Sequence, residues 1–133
     1  MNTTYFRNCV ANNIFRCDNS TPLPTSLYVG LSKTEPSVAG SNVTEPDNSA
    51  GYARVKLDGL SEAENGEVTN AAAISFPEST ADWGVITHYG IFDAVSNGNL
   101  LMFGSLSKSR TVESETVMTI SENTLSLSVL DPS

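Results

Sequence analysis

The chain has 133 residues, 39% of them hydrophobic, and a formal net charge of −8 from fifteen Asp and Glu against seven Lys and Arg. That length builds one ordinary domain, 1–133, with a single core. The acidic balance leaves no basic patch for a phosphate backbone or an anionic bilayer, so neither nucleic acid nor a membrane is expected as a partner. No run approaches the roughly 18 apolar residues that cross a bilayer, and Met1 to Arg7 is too polar for a signal peptide, which points to cytoplasmic synthesis without secretion.

The first element is an amphipathic helix over 1–17. Thr3 or Thr4 can cap it, and Phe6, Cys9, Val10, Ile14 and Cys17 recur at three- and four-residue spacings along one side. In a continuous helix Cys9 and Cys17 lie about 12 Å apart along the axis, too far for a disulfide, so they read as core thiols. Without a CxxC spacing or nearby histidines they make no metal site. Residues 18–25, with Pro22 and Pro24, stop the helix and form a linker.

Residues 26–130 read as a β-sandwich. Ser26 to Ser32 is a strand with Leu27, Val29 and Leu31 inward. Lys33 to Gly51 is a long polar loop, carrying Pro36, Gly40 and Pro46, of the kind that contacts something. Tyr52 to Leu57 alternates, with Ala53, Val55 and Leu57 inward and Arg54 and Lys56 outward. Leu60 to Gly66 is an acidic turn with Glu62 and Glu64, whose spacing matches no calcium loop. Val68 to Phe76 is a strand stopped by Pro77.

Trp83 to Asp93 is the densest β-forming stretch and reads as a central strand covered on both faces, with Val85, Thr87, Tyr89 and Ile91 on one side and Ile86, His88, Gly90 and Phe92 on the other. The Asn97-Gly98 turn signal joins it to Leu100 to Leu106 as a hairpin. Thr116 to Ile120 and Leu125 to Val129 supply two more strands. About seven short strands separated by turns predict a mainly β, single-domain antiparallel sandwich of jelly-roll or immunoglobulin-like type with an N-terminal amphipathic helix.

Motifs for chemistry are sparse. His88 is the sole histidine, and a Ser-His-Asp set drawn from it with Asp82 or Asp93 lacks any mark of a nucleophile. Phosphate-binding glycine loops are absent. No catalytic residue, cofactor or metal ligand is assigned, and a non-enzymatic protein is expected.

The succession Leu27-Tyr28-Val29-Gly30-Leu31-Ser32, Glu35-Pro36, Gly51-Tyr52-Ala53-Arg54 and Asn70-Ala71-Ala72-Ala73-Ile74-Ser75-Phe76-Pro77, followed by Ala81 to Ala94, Gly98-Asn99-Leu100-Leu101, Gly104 and Leu106, carries a resemblance. It is similar to a family of small virion proteins of tailed bacteriophages, tail-fibre-like or minor structural proteins. The resemblance covers most of the chain and implies a structural virion protein made in the host cytoplasm. Its role would be as a tail or fibre component or a capsid decoration protein, acting through contacts with other virion proteins and as a homo-oligomer, a trimer by analogy. The alternative is a receptor- or glycan-binding module of the adsorption apparatus. Six residues are candidates for partner contact: Phe6, Val10 and Ile14 on the helix stripe, Tyr52 and Arg54 on a strand, and Trp83 as an anchor. Phe6→Glu or Ile14→Glu is then expected to block assembly and leave the domain folded.

Overall fold

The computed structural model describes residues 1–129; position 130, where the sandwich was expected to end, lies outside the described residues. One helix, α1 (Thr4–Ile14), precedes eight strands: β1 (Tyr28–Ser32), β2 (Val55–Lys56), β3 (Glu67–Thr69), β4 (Ile74–Ser75), β5 (Gly84–Phe92), β6 (Leu100–Val112), β7 (Thr119–Ile120) and β8 (Ser126–Ser128). The fold is mainly β, with antiparallel pairing and a single N-terminal helix, as expected. One sheet has the order β2-β1-β5-β6, and β3-β8 and β4-β7 form two-stranded ribbons. This pairing assigns neither the jelly-roll nor the immunoglobulin type.

β5 is the central strand, flanked by β1 and β6. Its C-terminal half is covered on both faces. Ile91 joins the main core with Val29, Leu31, Trp83 and Leu101, while Phe92 packs with Leu100 and Phe103 in a smaller cluster under Val43. Its N-terminal half is less enclosed, with Val85 48% exposed. Ile86 and Ile91 both enter the main core although they sit an odd number of positions apart. Strict alternation is broken between them, where the β5–β6 register shifts.

The hairpin turn has the geometry its sequence asks for, with Asn97 at φ 56° and Gly98 at φ 72°, both left-handed. Asp93 clamps it by accepting from the Asn99 backbone N–H at 2.7 Å. β6 runs six residues past the expected Leu106. That extension, Ser107 to Val112, is polar until its last residue and lacked the apolar alternation that marks a half-buried strand.

The expected Val68 to Phe76 strand divides at Asn70. This fully buried side chain donates to the carbonyls of Ala72 and Ser121 and accepts from the Leu125 N–H. One asparagine therefore satisfies three backbone groups that a continuous strand would have paired with a neighbour.

The helix is shorter than 1–17. It ends at Ile14, and Cys17 adopts the left-handed φ of 51° as Asp18 N–H donates to Asn12 O at 3.0 Å. Cys17 leaves the stripe and is exposed, while Cys9 is buried. Thr3 caps the other end. Its hydroxyl accepts from Phe6 N–H at 3.2 Å and donates to Leu100 O at 2.7 Å. The residues before the helix add to the free edge of β6, with Thr3 N–H donating to Leu101 O, Phe103 N–H donating to Met1 O and a bridge between Asn2 and Met102.

Candidate functional site

Six residues were expected to meet partners, and the structure separates them into two groups. Tyr52, Arg54 and Trp83 lie inside the subunit. Gly51 takes a left-handed φ of 85° after a short 3-10 turn at Asn48–Ala50, which turns Tyr52 into the core and leaves Ala53 exposed. The expected inward Ala53 and outward Arg54 are thereby inverted.

Trp83 is 2% exposed and donates from its indole N–H to Ala50 O at 2.9 Å. Tyr52 meets it edge to face, with ring centroids 5.4 Å apart, and donates its hydroxyl to Glu45 Oε2. Burial first, and the Glu45 carboxylate second, push the Tyr52 hydroxyl well above the ordinary tyrosine range.

The Arg54 side chain is only 7% exposed and spends its fork internally. Nε and Nη2 donate to the two Glu45 oxygens at 3.0 and 2.7 Å, and Nη1 donates to Ala94 O and Asn97 O at 2.9 and 2.8 Å. The guanidinium also sits 3.6 Å above the Phe92 ring. This side chain joins the long loop to the hairpin turn. The polar atoms of Tyr52, Arg54 and Trp83 thus bond within the chain.

Phe6 and Val10 are half-buried, and Phe6 packs against the main core. Ile14 is 61% exposed, and Phe15, one residue beyond the helix, is 84% exposed. The stripe thus faces the protein at its start and solvent at its end. The link folds back along it, with Asn13 Nδ2 donating to both Cys9 O and Thr21 O at 2.8 Å.

Periodicity gave no place to Phe15, because it falls off the stripe. Its signal was composition: an aromatic beside Ile14 in a segment otherwise of Asn, Arg, Cys and Asp. Arg7 and Arg16 are exposed on the same segment, which has no carboxylate before Asp18. The rest of the chain therefore carries all fifteen acidic residues and five of the seven basic ones.

Other expected chemistry is dispersed. His88 contacts Thr87 Oγ1 at 2.8 Å and Glu35 at 3.8 Å. Asp82 and Asp93 instead accept backbone N–H groups from Ser114 and Asn99, so the structure does not bring a Ser-His-Asp set together. Among the described residues, no cluster of three or more His, Cys, Asp or Glu is placed to hold a metal ion, and no helix is long and apolar enough to cross a membrane.

A family model described as podophage GP4 fiber I protein gp80 matches residues 1–128. No curated protein matches the chain.

Proposed function

Since the chain belongs to the podophage GP4 fiber I protein gp80 family, we propose that it is a structural, non-enzymatic component of the tail fibre that docks on its neighbours through the far end of α1. The exposed pair Ile14 and Phe15 carries this reading. Burying each side chain is worth roughly 1.5–3 kcal/mol, so the pair offers about 3–6 kcal/mol before the cost of ordering the contact. Arg7 earlier on the helix, and Arg16 next to Phe15, its side chain 68% exposed although 3.6 Å from Asp18, complement an acidic surface, which this chain itself presents over the rest of its length. A second copy is the first partner that fits, and the homotrimer remains part of the proposal.

The test is Ile14→Glu and Phe15→Glu introduced into the phage, with copies per purified particle measured by mass spectrometry against the major capsid protein. Both variants should fold with unchanged melting temperature and be depleted at least tenfold from particles. Normal incorporation overturns the docking role. A wild-type copy number near that of the capsid protein would overturn the fibre assignment in favour of capsid decoration. Phe6→Glu does not serve here, because Phe6 packs on the core and its variant tests folding.

A further inference from the structure

The register of β5 against β6 shifts twice, by one extra residue between Ile91 and Phe92 and by more between Ile86 and His88. Ile86 pairs with Arg110 and His88 with Ser105, so two steps along β5 match five along β6 and three extra residues form a bulge. Lys108 sits in that bulge. Between it and the segment around β7 lies an open groove of about 460 Å³, within the size range of small-ligand sites.

Like the segment before Asp18, the groove wall departs from the acidic balance of this chain. It holds Lys108 and Arg110, two of the seven cations, and no carboxylate. Neither cation pairs with a carboxylate among the described residues. Ser105, Ser107, Ser121 and Tyr89 also line it. The three serines are exposed, Tyr89 is partly so, and each has a hydroxyl able to donate and accept. Leu106 and Ile120 supply an apolar floor.

We propose that this groove binds an anionic saccharide. Lys108 and Arg110 would meet its carboxylate or phosphate, the serine and tyrosine hydroxyls its ring hydroxyls, and the floor the C–H face of a sugar ring. An acidic peptide would use the cations and leave the hydroxyls without a role. Bulges that re-aim side chains are common beside binding sites, and Lys108, within this one, lines the groove. The acidic turn at Leu60 to Gly66 has no such cations. The proposal is independent of where on the particle the protein sits.

The experiment is an NMR titration of the full ¹⁵N-labelled chain with a hexauronate and with a sugar phosphate. Maltohexaose and hexaglutamate serve as neutral and peptide controls. Saturable shifts confined to 105–110 and 118–125 with either anionic sugar are expected, the tighter one identifying the charge carrier. Lys108→Gln/Arg110→Gln should weaken binding about tenfold or more. Removing the same charge elsewhere, in Lys33→Gln/Lys56→Gln, should change it less than about twofold. The proposal is overturned if neither anionic sugar shifts these residues, if maltohexaose binds equally, if both double variants lose binding alike, or if hexaglutamate binds as tightly. The last outcome would make the groove a peptide site.

Discussion

Replacing Arg54 by alanine tests whether one side chain holds the loop 33–51 against the hairpin. The change deletes four hydrogen bonds, two to Glu45 and one each to Ala94 O and Asn97 O, together with the contact over Phe92. It also leaves Glu45 with only the Tyr52 hydroxyl as a side-chain partner. Breaking a buried pair by removing one member costs about 3–5 kcal/mol. Glu45 is 22% exposed, and solvent relieves part of that, which places the expected loss near 3 kcal/mol. Such a loss is a large fraction of the 5–15 kcal/mol typical of a domain and corresponds to a fall of roughly 8–15 °C in melting temperature at this size.

Urea unfolding followed by fluorescence of Trp83, the one tryptophan, reads it directly. The slope with denaturant should stay unchanged. In Arg54→Ala/Glu45→Gln no orphaned charge remains, so the double variant should lose less than the sum of the single losses. A loss below about 1 kcal/mol in Arg54→Ala, or strict additivity in the pair, would refute the clamp.

Gly104 faces Tyr89 across the β5–β6 pair, and a Cβ there would lie 2.6 Å from the Tyr89 hydroxyl oxygen. Gly104→Ala should therefore cost about 1–3 kcal/mol by urea unfolding, and under about 1 kcal/mol in a Tyr89→Leu background where the ring is gone. The raised Tyr52 hydroxyl predicts an alkaline limit. An unfolded tyrosine ionises near pH 10 while the folded Tyr52 stays protonated, so its contribution is complete below about pH 10 and is lost as pH rises above that value. Tyr52→Phe should be about 1 kcal/mol less stable at pH 8 yet lose stability less steeply above pH 10. Parallel urea midpoints for the two proteins across pH 8–11 would contradict this.

The sequence exposed what local pattern controls. Alternating apolar residues located β1, a dense β-forming run located β5, the Asn97-Gly98 pair located the β5–β6 hairpin, and Thr3 was one of two caps proposed for the helix. It concealed what long-range partners decide. Arg54 looks outward from its neighbours alone, because Glu45 and the Ala94 and Asn97 carbonyls that draw it inward are separated from it by many residues. Asn70 similarly interrupts a strand through groups on Ser121 and Leu125. For the helix end, a stripe of apolar spacings could not show that the core reaches Phe6 but stops short of Ile14. The cations of the groove escaped notice because Lys108 lies in a bulge invisible to a period-two reading.

The pairing of residues 1–3 with 101–103 sets an order of events during synthesis. An isolated helix of α1's length is marginal in water, and its cap donates into Leu100 O. The platform for the helix is therefore made about a hundred residues after the helix itself. At translation rates of roughly 5–20 residues per second the helix waits some 5–20 s for β6 to emerge. Throughout that interval its apolar stripe, together with Phe15, is open to chaperones and to neighbouring nascent chains. Any shortening of the chain before β6 would remove the strand edge on which residues 1–3 and the helix cap pair.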